Sequence, residues 1–174
     1  MNILILQGSP RLNGNTAKMA TAFARGAKSA AHSVRLVNVF EKVIHDCTAC
    51  EYCHTKGKGQ CIQQDGMQDI YPHLLEMDML VLASPIYYHG VSGQLKCAID
   101  RFYACLYPEC PKHLSRIAML LTSGAPNVYE GALYSFKNDF LGYLRLKDCG
   151  VFTACGVPSD SLLKDIESHA AAIK

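Results

Sequence analysis

Hydrophobic residues along this chain form short continuous runs that alternate with longer stretches of helical spacing. The first run, Ile3 to Leu6, ends before Gly8 and is typical of a strand that is buried on both faces. Across residues 14–31, apolar side chains recur at intervals of three and four, which predicts a helix. Further strands are predicted at 34–39, 79–83, 117–121 and 151–157, and further helices at 67–77, 93–106, 130–146 and 159–173.

Five buried strands that alternate with five helices predict an α/β fold with a parallel, doubly wound sheet. No internal repeat, low-complexity stretch or linker divides the chain, so we expect one domain over residues 1–174, with an irregular cysteine-rich insertion at about 41–66. We expect Ser84-Pro85 to stop the third strand, Pro72 to kink or restart the second helix, and Ser159 to cap the last one. Ligands of such sheets lie at the carboxyl ends of the strands, which makes the loops after strands one, three and four the candidate site.

Composition and charge exclude several classes of protein. Apolar residues make up 49% of the 174 residues and charged residues 18%, which favours a packed core over disorder or a fibre. The net charge is +2, from 17 basic and 15 acidic side chains, and no basic run occurs, so nucleic-acid binding is not expected. The apolar run at Ile3–Leu6 is too short to span a bilayer and lacks the flanks of a targeting signal. We therefore expect a cytoplasmic protein with reduced thiols and no membrane partner.

The loop after the first strand, Gly8 to Thr16, is rich in hydroxyl, amide and glycine groups and leads directly into a helix. The unpaired N–H groups of a helix N-terminus favour a phosphate, to which Ser9, Asn15 and Thr16 can add hydrogen bonds and Arg11 can add charge. Neither the G-x-G-x-x-G fingerprint of dinucleotide sites nor the mononucleotide P-loop is present. The alternative is an ordinary strand–helix turn that Asn15 or Thr16 caps.

Three motifs follow one another along the chain. Gly8 to Arg11 precedes Gly14 to Thr16, Ser84 to Ser92 follows the third predicted strand, and Lys96 is followed by Asp100-Arg101. In order and spacing, these motifs resemble the phosphate loop, the flavin-ring loop and the K-x-x-x-D-R element of the NAD(P)H-dependent FMN reductases with a flavodoxin-like fold. The resemblance covers most of the chain.

This resemblance implies a flavodoxin-like three-layer sandwich, in which a five-stranded parallel sheet of order 2-1-3-4-5 has helices on both faces. It also implies FMN as the resident cofactor, NAD(P)H as the electron donor, and a homodimer or homotetramer. No catalytic side chain is expected, because the flavin carries the chemistry. The implied cofactor-binding residues are Ser9, Arg11, Asn13, Asn15, Thr16, Pro85, Ile86, Tyr87, Tyr88, Gly90, Ser123 and Gly124.

Several side chains near these motifs have a structural alternative to a functional role. Tyr87 and Tyr88 are expected at the flavin ring, and the alternative is plain core packing at a strand end. His89 is the one titratable group beside the presumed flavin ring, and its role is either structural or one in proton transfer or substrate contact. Asp100 and Arg101 are interpreted as residues that orient a loop or contact a partner subunit, and not as catalytic groups.

Four of the nine cysteines share the spacing Cys47-x2-Cys50-x2-Cys53-x7-Cys61. Such spacing lets several thiolates converge on one iron–sulfur cluster. The segment resembles the iron–sulfur flavoprotein branch of the family, which implies a four-iron, four-sulfur (4Fe–4S) cluster on these four residues. Free thiols, a tetrahedral zinc site and disulfides formed under oxidising conditions are the alternatives. The cysteines without ligand spacing are Cys97, Cys105, Cys110, Cys149 and Cys155.

The sequence favours an FMN-dependent oxidoreductase that takes hydride from NAD(P)H and passes electrons to a quinone, a nitro or azo compound, a flavin or an iron–sulfur centre. The alternative is an iron–sulfur flavoprotein that carries electrons between redox proteins. Such carriers are usually acidic, and a net charge of +2 argues against this role. A response-regulator receiver is excluded, because Gly8-Ser9 and Ser84-Pro85 stand where that fold requires acidic residues.

Overall fold

A computed structural model describes residues 1–174, which form six strands and six α-helices, with a long, mostly irregular segment between β2 and α2. The strands are β1 (Asn2–Gln7), β2 (Ser33–Asn38), β3 (Met79–Tyr87), β4 (Gly90–Val91), β5 (Arg116–Ser123) and β6 (Lys147–Cys155). The α-helices are α1 (Asn15–Ser29), α2 (Tyr71–Glu76), α3 (Gly93–Asp100), α4 (Tyr103–Leu106), α5 (Glu130–Ser135) and α6 (Asp160–Ala172). Single 3₁₀ turns lie at Val39–Glu41, Tyr52–His54 and Gly66–Asp69, and a π-helical segment lies at Phe136–Tyr143.

The five long strands form one parallel sheet in the order β2-β1-β3-β5-β6. This confirms the predicted order, since β5 and β6 are the fourth and fifth predicted strands. The two-residue strand β4 is an addition that pairs antiparallel with the end of β3. No helix of the chain combines the length and the apolar character needed to cross a bilayer.

Alternate residues of the buried strands face two different cores. In β1, Leu4 and Leu6 pack with residues of α2, α3 and the π-helical segment, whereas Ile3 and Ile5 pack with α1 and α6. Complete burial of one such side chain stabilises the fold by about 1.5–3 kcal/mol. The continuous apolar runs therefore let helices pack against both faces of the sheet, which is the arrangement of a three-layer sandwich.

The third strand continues past Ser84-Pro85, where it was expected to stop. The Ala83 carbonyl accepts a hydrogen bond from Gly8 N–H (2.8 Å), so odd-numbered residues of β3 direct their backbone polar groups towards β1. β1 ends at Gln7, and the missing N–H of Pro85 therefore leaves no ladder bond unmade. This extension carries the ring loop beyond the sheet, and Pro85 still pairs in register with Thr122 of β5.

Two predicted helices are interrupted. The helix expected at 93–106 breaks between α3 and α4, where the Arg101 carbonyl accepts a hydrogen bond from the Tyr71 hydroxyl (3.3 Å). The helix expected at 130–146 widens after α5 into the π-helical segment, which ends with a bond from Leu144 N–H to the carbonyl five residues earlier (2.9 Å).

The predicted boundary residues behave as expected elsewhere. Pro72 lies in the first turn of α2, where its missing N–H costs nothing, and the preceding 3₁₀ turn ends before it. The Ser159 side chain caps α6 by accepting a hydrogen bond from Leu162 N–H (3.2 Å). The last strand departs from its prediction at both ends, since it spans Lys147–Cys155 instead of 151–157.

Helices α1 and α6 pack against each other at backbone distance, and this gives a first prediction. A Cβ atom on Gly26 would lie 2.0 Å from the Glu167 carbonyl oxygen. We expect Gly26→Ala to lower the free energy of unfolding by about 3 kcal/mol, because the two helices must separate. Gly93→Ala is the matched control, because a Cβ there meets nothing within 4 Å. Equal urea midpoints for the two variants would contradict the close approach.

Candidate functional site

The loop after β1 is tied to the loop after β3 at the carboxyl edge of the sheet. The Ser92 hydroxyl donates to the Gly8 carbonyl (2.6 Å), and Ser92 N–H donates to the Ser84 hydroxyl (2.9 Å). A Cβ on Gly8 would lie 2.7 Å from both Ser92 Oγ and Leu95 Cβ. Glycine is therefore required where the two loops meet, and Ser92 joins the site although sequence reasoning gave it no role.

Helix α1 begins without a side-chain cap. Gly14 is its N-cap residue, no acidic residue lies in the first turn, and the N–H groups of Asn15, Thr16 and Ala17 have no acceptor within the chain. Such donors carry the positive end of the helix dipole and form a ready site for an anion. The structure contradicts the alternative of an ordinary turn capped by Asn15 or Thr16.

The side chains of Asn15 and Thr16 reach neighbouring loops. The Asn15 amide donates to the Gly156 carbonyl after β6 (2.8 Å), and the hydroxyls of Thr16 and Thr122 share a hydrogen bond of 2.7 Å. Only one hydroxyl hydrogen is used in that pair, so the other remains free for a ligand. Thr122 was missed as a site residue, although a polar residue at the end of an apolar strand was the available signal.

The other residues predicted to bind a phosphate lie in the same loop. Ser9 is buried, and its hydroxyl accepts a hydrogen bond from Arg11 N–H (3.2 Å), which leaves its own O–H free to donate. The side chains of Arg11 and Asn13 are exposed, and Arg11 forms no salt bridge within the chain. The loop thus presents hydrogen-bond donors and the unpaired guanidinium of Arg11, and it contains no carboxylate that would compete for them.

The ring loop is a tight hairpin between β3 and β4. Its two turn residues, Tyr88 and His89, have φ angles of 49° and 64°, the pattern of a type I′ turn. Ile86 is buried, but Tyr87 is 52% exposed and Tyr88 is fully exposed, so the tyrosines do not pack in the core. Gly90 completes the turn as the partner of Tyr87.

Helix α5 packs against this hairpin and donates a backbone hydrogen bond to it. Ala132 N–H donates to the His89 carbonyl (3.0 Å), and a Cβ on Gly131 would lie 2.7 Å from the same oxygen. After β5, the Ser123 hydroxyl donates to the Ala125 carbonyl and also lies 2.7 Å from the Tyr129 hydroxyl. Gly124 follows with open space around it.

The loops after β1, β3 and β5 thus meet at the carboxyl edge of the sheet.

The residues at this edge fit FMN. Uncapped backbone donors without an acidic neighbour suit a phosphate that carries close to two negative charges. Pro85 and the two exposed tyrosines provide apolar and aromatic surface for a flat ring, and the hairpin backbone offers polar groups beside it, whereas the Ile86 side chain is buried in the core.

The cysteine segment presents four free thiols with different surroundings. Cys53 is buried, Cys50 is exposed, and Cys47 and Cys61 are half-buried. Burial raises the pKa of Cys53, and the nearby thiols of Cys61 and Cys47 raise it further. Hydrogen bonds from Tyr52 N–H and the Thr48 hydroxyl lower the pKa of Cys50. Cys53 is therefore the most shielded of the four thiols, and Cys50 is the one that faces solvent.

These side chains do not surround a common point. No group of three or more histidine, cysteine or acidic residues is arranged to hold a metal ion. The donor chemistry suits an iron–sulfur cluster, but the segment would have to rearrange for its four thiolates to converge on one. The positive φ angles of Ala49 and Glu51 mark the backbone on either side of Cys50 as a local bend.

A buried ion pair anchors the segment to the fold. Arg101 Nη1 donates to Asp65 Oδ2 (2.8 Å) and to the His45 carbonyl (3.0 Å), and both charged side chains are at most 4% exposed. Burial by itself would raise the pKa of Asp65, but hydrogen bonds from Arg101, His45 and Met67 lower it below its usual value. The interpretation of Arg101 as a loop-orienting residue is confirmed. Asp100 instead pairs with Lys96 at the surface.

Comparison with known proteins agrees with this geometry. A family model described as NADPH-dependent FMN reductase matches residues 1–152. The chain belongs to this family. An iron–sulfur flavoprotein of Archaeoglobus fulgidus is 38% identical over 101 residues, which cover 58% of this chain and 45% of that protein. One of Methanocaldococcus jannaschii is 36% identical over 126 residues, covering 71% and 62%. The chain spans only about half to three-fifths of the length of these relatives.

Solved structures of flavoenzymes share the fold. An FMN-dependent NADH-azoreductase of Bacillus anthracis in complex with FMN aligns with a TM-score of 0.73 at 16% identity, covering 98% of both chains. An NAD(P)H:quinone oxidoreductase of Methanothermobacter marburgensis aligns with a TM-score of 0.71 at 17% identity, covering 98% of this chain and 92% of that one. At this identity the likeness confirms the flavodoxin-like α/β fold expected of the family.

Proposed function

We propose that the chain is an FMN-dependent oxidoreductase that takes hydride from NAD(P)H and passes the electrons to a second acceptor. The observation that carries the proposal is the uncapped N-terminus of α1, with three N–H groups free at the sheet edge shared with the aromatic ring loop. Family membership supports it. The acceptor classes that we propose are a quinone, a nitro or azo compound, a flavin and an iron–sulfur centre, since structural neighbours include a quinone oxidoreductase and an azoreductase.

The residues of the chain would position and shield the cofactor. Bound FMN would supply the redox chemistry, by accepting hydride and releasing electrons singly or in pairs. The N–H groups of Asn15 and Thr16 and the Ser9 hydroxyl would hold the phosphate, with Arg11 offsetting its charge. Pro85 and its successors in the ring loop would flank the flavin ring, and Ser123 and Gly124 would border its other side. The protein thus contributes orientation and electrostatics instead of an acid–base pair.

Discrimination between FMN and riboflavin tests the phosphate site. The two flavins differ only by the phosphate, and a hydrogen bond to a charged group contributes about 1.5–3 kcal/mol. We expect FMN to bind about a hundredfold more tightly than riboflavin. Flavin fluorescence quenching in a titration of the apoprotein measures both affinities. Equal affinities would show that α1 holds no phosphate.

We also propose Cys47, Cys50, Cys53 and Cys61 as ligands of a 4Fe–4S cluster. Support comes from their spacing along the chain and from relatives named iron–sulfur flavoproteins. Anaerobic purification should give about four irons and four sulfides per chain, and Cys53→Ser should lose them. Cys97→Ser is the control, because Cys97 lies on α3 outside the segment. An iron-free wild-type protein would exclude the cluster.

An electron carrier between redox proteins is the second candidate function, favoured by the same cysteines. The two roles differ in the reductant: an NAD(P)H oxidoreductase is reduced directly by the nicotinamide, and a carrier only by a protein or a chemical reductant. We propose a cytoplasmic homodimer or homotetramer, and sedimentation velocity tests the assembly. A monomer at micromolar concentration would contradict that part of the proposal.

A further inference from the structure

The turn between β6 and α6, residues 156–158, contacts both ends of the site at the sheet edge. Gly156 N–H donates to the Ser123 carbonyl at the end of β5 (2.8 Å), and the Gly156 carbonyl accepts a hydrogen bond from the Asn15 side-chain amide (2.8 Å). Asn15 is the first residue of α1, and Ser123 borders the ring side of the proposed flavin site. We call residues 156–158 the β6–α6 turn. One residue of this turn therefore links the phosphate end of the site to its ring end.

The β6–α6 turn has a fixed position in the fold. On its N-terminal side, Cys155 pairs in register with Ser123. On its C-terminal side, Pro158 is buried and the Ser159 side chain caps α6. Helix α6 in turn contacts α1 at backbone distance. The Gly156 carbonyl is thus a rigid reference point for the start of α1.

The first turn of α1 depends on such outside support. Its N-cap residue, Gly14, makes no side-chain hydrogen bond to the helix. A turn that becomes ordered only when a ligand arrives lowers the affinity by the free energy of that ordering. Two side-chain contacts hold this turn instead, from Asn15 to Gly156 and from Thr16 to Thr122. Neither contact uses a backbone N–H of the helix, so the donors for a phosphate stay free.

The contact with Gly156 also fixes the direction of the Asn15 amide. A backbone carbonyl can only accept a hydrogen bond, so the NH2 group of Asn15 must face it. The amide is planar, and one bonded N–H therefore sets the direction of the other. No group of the chain accepts a hydrogen bond from that second N–H. Asn15 thus offers an oriented side-chain donor beside the free backbone donors of α1.

Only glycine suits residue 156 for reasons of backbone conformation. The φ angle of Gly156 is 75°, and a Cβ atom there would meet nothing within 4 Å. Space is therefore available for a larger residue, but an L-amino acid is strained at this φ and would rotate the backbone to relieve the strain. Such a rotation would redirect the carbonyl away from Asn15.

We infer that the β6–α6 turn orients the phosphate-binding end of α1, which makes Gly156 a positioning residue for FMN. The hydrogen bond to Asn15 carries this effect, and the bond to Ser123 keeps the turn in register with the ring side. The inference rests on the proposed function, because the phosphate of FMN is the ligand concerned. It adds a fourth loop, after β6, to the three that the sequence indicated.

Flavin titrations of the Gly156→Ala apoprotein test this inference. We expect FMN to bind about tenfold more weakly than to the wild type and riboflavin to bind equally well, because only FMN carries the phosphate. Asn15→Ala removes the side-chain amide but keeps the backbone N–H, and it should give the same loss. Adding Gly156→Ala to Asn15→Ala should give no further loss, since the turn acts through that amide.

Gly150→Ala is the matched control. Gly150 also has a positive φ angle, 105°, and lies on β6 about 20 Å along the strand from Gly156. This variant should leave the ratio of FMN affinity to riboflavin affinity unchanged, although its backbone is strained in the same way.

The outcomes separate this inference from the proposed function. A wild type that binds both flavins equally would overturn the phosphate site, and this inference with it. A wild type that prefers FMN, together with an unchanged affinity ratio in Gly156→Ala or additive losses in the double variant, would overturn the inference alone. If the strain at residue 156 prevents folding, Asn15→Ala carries the test, and an unchanged ratio in that variant overturns the inference too.

Discussion

Asn15→Asp should weaken FMN binding about a hundredfold while leaving the fold as stable as before. The substitution keeps the shape of the side chain and places a carboxylate in the first turn of α1, beside the N–H groups proposed to hold the phosphate. Two like charges about 5 Å apart repel by roughly 3 kcal/mol at an effective dielectric constant near 20. Flavin titration measures the loss of affinity, and urea denaturation of the apoprotein measures stability.

The unchanged stability follows from two effects of opposite sign. The variant loses the hydrogen bond from Asn15 to the Gly156 carbonyl, which contributes about 1 kcal/mol. It gains the attraction between a carboxylate and the positive end of the helix, about 0.3–1 kcal/mol.

Asn138→Asp is the control for this prediction. Asn138 also donates its amide to a backbone carbonyl, that of Tyr134, at the same distance of 2.8 Å, but it lies on the π-helical segment. It should leave FMN affinity unchanged. If Asn15→Asp bound FMN as tightly as the wild type, the phosphate could not lie at the N-terminus of α1.

Removal of the Arg101 guanidinium should produce the largest loss of stability. Arg101→Met keeps an apolar side chain of similar length but leaves the Asp65 carboxylate buried without its cation. Breaking a buried pair in this way costs about 3–5 kcal/mol. Urea denaturation measures the loss, and alkylation of the buried Cys53 thiol should become faster in the native protein, because the segment that Arg101 anchors through Asp65 and the His45 carbonyl is released.

Two further variants distinguish the stability cost of an unpaired buried charge from the cost of losing an ion pair as such. Arg25→Met removes an arginine that pairs with Glu167 at the surface, and it should cost less than about 1 kcal/mol. Adding Asp65→Leu to Arg101→Met should restore part of the stability, since no unpaired charge then remains in the interior. A loss no larger than that of Arg25→Met would show that the pair does not anchor the segment.

The sheet was predictable because its strands are buried on both faces. Continuous runs such as Ile3–Leu6 have one physical explanation in a chain that alternates them with helices, and the strand order followed from the resemblance. The extension of β3 through Pro85 was not predictable from local preference. It depends on β1 ending at Gln7, which only the assembled sheet reveals.

The site was predictable where the function depends on the backbone, and less so where side chains meet across the fold. Glycine-rich sequence before a helix pointed to the free N–H groups of α1. The contact between Thr16 and Thr122 joins residues 106 positions apart, and the ion pair of Arg101 with Asp65 joins residues 36 apart. Sequence spacing carries no signal for such pairs.

Anaerobic reduction of the FMN-loaded protein by NADH or NADPH tests the central claim most directly. The visible absorption band of bound flavin is followed after adding one equivalent of each nicotinamide, with dithionite as the control that the flavin is reducible. We predict that at least one nicotinamide bleaches the band and that a quinone restores it. A band that only dithionite bleaches, or a protein that retains no flavin after incubation with FMN, would contradict an NAD(P)H-dependent FMN oxidoreductase.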